Sequence, residues 1–431
     1  MTAIVRIHEF ARFGSRLGLE RMRALMGLLG DPQKNLRYIH VAGTNGKGSV
    51  CRFIYSALRC GGYRVGLFTS PFIVSFYERF EYDGAFIGED ELEEVADVVL
   101  SAASRLVSEG GDSPTEFEIL TAIAFVYFSR KNPDFVVLEV GLGGLGDSTN
   151  IIDEAAVSAI TPISLDHMEQ LGNTIEEIAA QKAGIIKKGC PVVCGAGEEA
   201  EGVIRRRAEE LGCRFVTSAE VSVKNMEADR YGASFDAAFH AKTFKDIKLS
   251  MLGPHQVENA RIAIAVLETL RENHMVSLPA SAMTEGLRAA TLPGRLEVMS
   301  KAPLIIADGA HNPAGAKALA AAMLKLFPDE RILVVAGMLR DKDIRGVLKE
   351  LRSFAAAFIA TEPEGDRSLP AGELAAEINA DASEAASIIG VESNPQEALN
   401  LAISAVQNEK YDMIVITGSL YLIGAIHQIL D

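Results

Sequence analysis

The sequence predicts an α/β protein of two domains, each built on a mostly parallel β-sheet, and three observations lead there. Short apolar runs rich in β-branched residues and without alternation, such as Leu36 to Val41 and Phe135 to Val140, are the pattern of strands covered on both faces. Segments of helical periodicity separate such runs, and the alternation of strand and helix starts a second time after Pro293-Gly294. The length of 431 residues exceeds one ordinary core, at roughly 150 residues per domain.

The strand Leu36 to Val41 runs into a glycine-rich turn and then a helix whose apolar face is Val50, Phe53, Ile54, Ala57 and Leu58, stopped by Gly61-Gly62. Val65 to Phe68, Phe135 to Val140, Ala156 to Ile160 and Pro191 to Val193 continue the sheet. Between the last two, Thr174 opens a helix with a Thr-x-x-Glu capping box closed by Glu177. From about Val221 to Leu252 the pattern becomes short and alternating, a small antiparallel sheet, and a helix from Gln256 to about Asn273 follows. After Gly294, strands near Leu304, Ile332, Phe358, Ser387 and Met413 alternate with helices after Pro313, Asp343, Ala371, Pro395 and Ser419, a doubly wound, Rossmann-like arrangement. The expected domains are therefore residues 1–294 and 295–431.

Composition narrows the function. Hydrophobic residues at 48% and charged residues at 23% fit a globular protein with full cores. The net charge of −16 would repel a phosphate backbone over most of the surface, so nucleic acid is not an expected partner and an anionic ligand needs local donors and metal. Five cysteines without a CxxC spacing read as free thiols of a reducing compartment. No apolar run suits a signal peptide or a bilayer span, the longest, Ile119 to Phe128, being interrupted by Thr121. A cytoplasmic protein without a membrane partner is expected.

The strongest chemical feature is Ala42-Gly43-Thr44-Asn45-Gly46-Lys47-Gly48-Ser49 between a buried strand and a helix. Backbone N–H groups and the helix N-terminus form an anion cradle there, Lys47 reaches β- and γ-phosphates, and Ser49 offers a hydroxyl to phosphate or Mg²⁺. The usual Walker spacing is not met, because Val41 and Gly48 stand where glycine and Ser or Thr belong. The first domain is thus of the P-loop ATPase type with a specialised loop.

Other residues stand where ligands bind in such folds. Glu139 ends a buried strand, where a carboxylate can meet a nucleotide-bound metal, and Gly141, Gly143 and Gly144 let the chain turn close to a ligand. By pattern alone, a strand-end glutamate is as often a surface residue. His167 follows Asp166 past the strand around Ile160, where a lone histidine is more often structural than a ligand. Lys182 sits within an apolar helix, where a lysine ordinarily snorkels outward. Asn259 and Gln256 share a helix face, which a polar surface explains equally well. Arg295 follows Pro293-Gly294 and could bring a guanidinium to phosphates, while Asp308 and His311 lie at the C-terminal end of the second domain's first predicted strand.

The loop Gly-Thr-Asn-Gly-Lys-Gly-Ser resembles that of the folylpolyglutamate and dihydrofolate synthases of the Mur ligase superfamily. The resemblance extends over nearly the whole chain. Its other carriers are Thr69-Ser70-Pro71, Thr115 to Glu118, Glu139 to Gly144, Leu165-Asp166-His167, Lys182 to Lys187, Gly294 to Glu297, Asp308 to Pro313 and Ser419 to Leu422.

The resemblance implies an ATP- and magnesium-dependent ligase that joins L-glutamate to a folate, or to dihydropteroate, through an acyl phosphate. It implies that Gly43, Thr44, Asn45, Gly46, Lys47, Gly48, Ser49, Asn259, Arg295 and Asp308 bind ATP. Residues matching Ser70, Glu139 and His167 hold Mg²⁺, and Lys47, His311 and Lys182 are catalytic. The lysine matching Lys182 is carbamylated in the family, near a second Mg²⁺; CO₂ adds to a neutral amine, so this requires a lowered pKa. Ser75, Arg79, Phe72, Phe76 and Tyr77 match a segment bordering the pterin pocket, and a loop packed by its own aromatics explains them equally. A monomer is implied.

Two other readings compete. A Mur ligase acting on a UDP-muramyl precursor shares the chemistry, but little chain precedes the first strand to hold a UDP-binding domain, and the loop reads Lys-Gly-Ser. A P-loop switch ATPase would hydrolyse ATP without folate or glutamate. Leu145-Gly146 follow Gly144 where many bifunctional relatives carry an arginine, a departure that weighs against dihydrofolate formation.

Overall fold

The computed structural model describes residues 2–14, 16–380 and 387–430. The chain divides into two compact units: residues 1–224, 235–247 and 258–290 make the first, and 225–234, 248–257 and 291–431 the second.

The first unit holds β1 (Tyr38–Ala42), β2 (Val65–Phe68), β3 (Phe80–Tyr82), β4 (Ala85–Phe86), β5 (Phe135–Glu139), β6 (Val157–Ile160), β7 (Val192–Cys194) and β8 (Phe215–Thr217). They form one sheet in the order β4-β3-β2-β5-β1-β6-β7-β8. From β2 to β8 the pairing is parallel, and β3 and β4 add an antiparallel edge. All residues of β1 and β5 are buried, the reason these runs are apolar without alternation. In β1 this holds with one exception of chemistry: His40 has no exposed surface. One core packs Met22, Leu25 and Met26 of the helix Glu20–Leu28 with the helices Glu89–Ser108 and Glu116–Lys131. A second core lies between β6, β7 and the helices Ile175–Ala183 and Glu198–Glu210. The predicted capping box is formed: the Thr174 hydroxyl accepts from Glu177 N, 3.2 Å, and Glu177 Oε2 accepts from Thr174 N, 3.3 Å.

Strands β9 (Val221–Asp229), β10 (Gly232–Phe239) and β11 (Lys242–Leu249) form the small sheet, in the order β11-β10-β9. Two-residue connections make it antiparallel. The following helix is Pro254–Glu272.

In the second unit β12 (Glu297–Lys301), β13 (Leu304–Asp308), β14 (Ile332–Ala336), β15 (Ala355–Ala360), β16 (Ser387–Val391) and β17 (Met413–Thr417) pair in the order β12-β13-β17-β14-β15-β16. β12 is antiparallel to β13 and the rest are parallel. Apolar clusters cover both faces, as a doubly wound sheet requires. The helices expected after Pro313, Asp343, Ala371, Pro395 and Ser419 are present.

Candidate active site

The first unit gathers its candidate residues at the C-terminal ends of β1, β2, β5 and β6. β1 delivers the chain to Gly43 to Gly46, and the helix Lys47–Cys60 begins at once. Gly43 (φ +155°) and Gly46 (φ +84°) are glycine for steric reasons, since a Cβ would meet the Thr161 side chain at the first and the Asn259 amide at the second. Asn259 is therefore packed against the loop. It and Gln256 are both buried, which removes the reading of a polar helix surface.

The expected run of loop amides is only partly available to an anion. The N–H groups of Thr44 and Asn45 donate to the Pro162 carbonyl, at 3.0 and 3.2 Å, and the Thr44 hydroxyl donates to Ser164 O, 3.1 Å. These residues fix the loop to the segment after β6. The helix's first turn, from Lys47 to Ser49, is the part whose amides have no place in the helical ladder.

Lys47 folds back, its ammonium donating to Gly43 O, 3.1 Å, and Thr44 O, 3.3 Å. Lys182, from the helix Ile175–Ala183, donates to the same Gly43 carbonyl, 2.8 Å. Contrary to the snorkelling expected of an apolar helix, Lys182 is only 4% exposed. Burial, and then the neighbouring Lys47 ammonium, lower its pKa to about 7, against the opposing pull of Asp166 and Asp147. The lysine is held against the glycine-rich turn after β5. Leu145 N donates to Gln181 O, 2.7 Å, and at Gly144 a Cβ would crowd the Lys182 backbone.

Glu139 ends β5 with 4% exposure, so the surface reading of this glutamate does not hold. Its Oε2 accepts from the Ser70 backbone N–H, 3.2 Å. Both Glu139 and Lys47 are within electrostatic reach of the buried Cys51 thiol. His167 stands at φ +51° at the start of the short helix Met168–Leu171, with its side chain 42% exposed and Nε2 3.9 Å from Asp166 Oδ1. The segment with Ser75 and Arg79 is packed by its own aromatics: the Arg79 guanidinium lies over Phe72 and Phe76, and Glu78 caps the turn Phe76–Arg79.

The second unit places Arg295, Asp308 and His311 around one strand end. Asp308 closes β13 and accepts two backbone N–H bonds, from Leu296 and Ala310, each 3.0 Å. The Arg295 guanidinium passes over Gly309, where a Cβ would crowd it and the Leu420 side chain. His311 Nδ1 donates to Gly309 O, 2.8 Å, because a carbonyl can only accept; in the neutral ring Nε2 then carries the lone pair. Asn312 caps the helix Pro313–Leu326 by accepting from Gly315 N, 2.8 Å.

Among the buried groups that sequence reasoning passed over is Asp147. Asp147 accepts from Leu142 N, 2.8 Å, and from both Thr149 N, 3.0 Å, and the Thr149 hydroxyl, 2.5 Å, so it ties down the glycine-rich turn after Glu139. The available signal was Asp-x-Thr, an aspartate bonding the amide two residues on.

These features stand beside clear likenesses to known proteins. Residues 41–267 match the Mur ligase middle domain, and residues 294–420 the Mur ligase, glutamate ligase domain. The dihydrofolate synthase/folylpolyglutamate synthase of Bacillus subtilis is 40% identical over 98% of this chain and 97% of its own length. The folylpolyglutamate synthase of Lacticaseibacillus casei is 37% identical over 98% of this chain and 97% of its own. Among solved structures, Mycobacterium tuberculosis folylpolyglutamate synthase complexed with ADP and AMPPCP superposes with a TM-score of 0.91 at 32% identity, covering 99% of this chain and 98% of that one. Escherichia coli FolC in complex with DHPP and ADP gives 0.87 at 30% identity, covering 100% and 98%. With near-complete coverage in sequence and fold, and with both Mur ligase domains matched in order, the chain belongs to the folylpolyglutamate synthase/dihydrofolate synthase family of the Mur ligase superfamily.

Proposed function

We propose that the chain uses ATP to activate the γ-carboxylate of a folate as an acyl phosphate, and that the amine of L-glutamate attacks it to form an amide, releasing ADP and phosphate. The observation that carries this reading is the convergence of Lys47 and Lys182 on the Gly43 carbonyl, at the ends of strands that also bear Glu139 and Ser70. A carboxylate meets a γ-phosphate only where positive charge offsets both, and the Lys47 ammonium at a phosphate-type loop supplies part of it.

ATP fits the start of the helix Lys47–Cys60, whose first-turn amides stand outside the helical ladder beside the glycine loop. The donor set Ser70, Glu139 and His167 suits Mg²⁺, which is bound through one or two carboxylates while phosphates and waters complete its shell. When bound there, Mg²⁺ supplies charge neutralisation at the phosphates. Lys47 holds the transferring phosphate. Arg295 and Asp308 act on ATP, and His311, through Nε2, takes the proton of the attacking amine. Lys182, neutral in a good fraction of molecules near pH 7, is poised to add CO₂ as a carbamate, and an intact mass showing only unmodified protein in bicarbonate would remove that role.

Residues 1–294 and 295–431 are the functional domains of this reading, with folate or dihydropteroate and L-glutamate as substrates and a monomer as the working form. No described helix is long and apolar enough to cross a membrane; the cytoplasmic location is part of the proposal. The test is ADP release with Mg²⁺, ATP and glutamate, comparing dihydropteroate with tetrahydrofolate and identifying products by mass. Turnover with both makes the enzyme bifunctional, and with tetrahydrofolate alone a dedicated polyglutamylating one. Turnover with neither overturns the folate assignment and restores the Mur-type ligase, while ATP hydrolysis indifferent to both substrates favours a switch ATPase.

A further inference from the structure

His40 lies in the middle of β1, with no exposed surface, three residues before Gly43. Its Nε2 is 2.9 Å from the Thr149 hydroxyl, which is 2.5 Å from Asp147 Oδ1, and Asp147 Oδ2 accepts from Leu142 N, 2.8 Å. The series joins the strand that feeds the phosphate loop to the glycine-rich turn that follows Glu139 and packs on the Lys182 helix. A histidine in a parallel strand would ordinarily be replaced by Val or Ile, since burying a polar ring without purpose costs stability.

The proton positions follow from the partners. Asp147 receives N–H groups from Leu142 and Thr149, so its carboxylate form is the one that can accept from all its neighbours, the Thr149 hydroxyl included. With its only proton given to Asp147, the Thr149 oxygen can only accept from His40. His40 must then carry its proton on Nε2, and Nδ1, which is buried and has no hydrogen-bond partner, holds a lone pair rather than a stranded N–H. Burial, helped by the Lys187 ammonium, lowers the His40 pKa to about 3, so the ring stays neutral.

We propose that His40 is a positioning residue for the ligase reaction: as the Nε2–H tautomer it fixes, through Thr149 and Asp147, the turn Gly141 to Gly146 that seats Glu139 and Lys182. This rests on the reading of the site given above. It does not make His40 a proton carrier, and its removal changes geometry without changing the charge of the site.

The test compares His40→Leu, His40→Asn and His40→Gln with Thr149→Val and the double variant His40→Leu/Thr149→Val, in the full-length protein. Gln places an N–H where Nε2 stood and Asn places one where Nδ1 stood. Leu and Asn should lower kcat about 10- to 100-fold with little change in the KM for ATP, as a misplaced reacting group does, and Gln should restore most of it. Thr149→Val should cost about as much as His40→Leu, and the double variant no more than either, because both break one chain. Equal kcat in His40→Leu and wild type, equal loss in Gln and Asn, or additive losses in the double variant would each overturn the assignment. Hydrogen exchange at Leu142 N–H decides it independently of activity: protection falls in His40→Leu and Thr149→Val and returns in His40→Gln. If the wild type itself turned over no folate, the ligase reading would fail, and the exchange result would still stand or fall alone.

Discussion

Two aspartates, one ending β13 of the second unit and one in the turn after β5 of the first, are held in different ways. Asp308 accepts from two backbone amides, those of Leu296 and Ala310, and acts through space on the buried His255. Asp147 is satisfied partly by Thr149, which answers to His40, and it also acts on Lys182 through space. The first arrangement takes its hydrogen bonds from the main chain. In the second, side chains are coupled in series within a buried setting, where each interaction is strengthened and each loss is costly. The same holds for Lys47 and Lys182, which share one carbonyl.

The largest effect that can be asked of this difference is catalytic. Lys47→Met should lower the rate of ADP formation about 10³-fold, the order of loss on removing a preorganised charge from a phosphoryl-transfer site. The same substitution should raise the Lys182 pKa above about 7, since a like charge has been removed from its neighbourhood. NMR titration of the Lys182 amine in CO₂-free buffer checks the second part; an unmoved pKa would break the coupling claimed for the first unit.

Stability gives the next contrast. Asp147→Asn turns one acceptor into a donor among donors and should cost about 3 kcal/mol, near the upper end for a buried group left unpaired. Asp308→Asn keeps an acceptor for one of two amides and should cost about 1–2 kcal/mol. Urea unfolding of the pair, read by midpoint at constant slope, would show the ranking or reverse it.

Lys182 adds a pH dependence whose sign follows from its lowered pKa. Below about pH 7 the amine is charged in folded and unfolded chains alike, and the cost of burying the ammonium is fully present. Between about 7 and the usual value of 10.5 the unfolded chain binds the proton that the folded chain has released, so this group makes stability rise with pH. Lys182→Met should remove that slope and gain stability on the order of a few kcal/mol at the acid end. A slope unchanged in the variant would mean that the lysine is not buried as an amine.

The backbone-held features were the legible ones. The strand, glycine turn and helix around Lys47 follow from a β-branched run, loop glycines and apolar spacing, all local in sequence. Of the strand pairs, β3 and β4 carried an Asp83-Gly84 turn signal that went unread. β12 was hidden because it begins three residues past Pro293-Gly294, in a stretch read as punctuation. The His40 chain could not be read at all: its members are separated by 109 residues, and a histidine within an apolar run says nothing about which hydroxyl it will meet. What holds Lys182 inside was not legible either, as the sequence shows its helix and not the Gly43 carbonyl that accepts from the amine.

The smallest effect separates the two kinds of restraint within one residue. Gly46 resists a side chain for a backbone reason, its φ of +84°, and for a side-chain reason, the Asn259 amide that a Cβ would strike. A left-handed conformation costs an alanine roughly 1–2 kcal/mol whatever surrounds it. The collision adds to this only while Asn259 is present. Gly46→Ala should therefore be relieved by about 1 kcal/mol when combined with Asn259→Ala, as the sub-additive coupling of residues in contact predicts. Strict additivity in thermal or urea unfolding would mean that the loop moves away from Asn259 at no cost. The glycine would then be required by its backbone conformation alone, which is the manner in which the second unit holds Asp308.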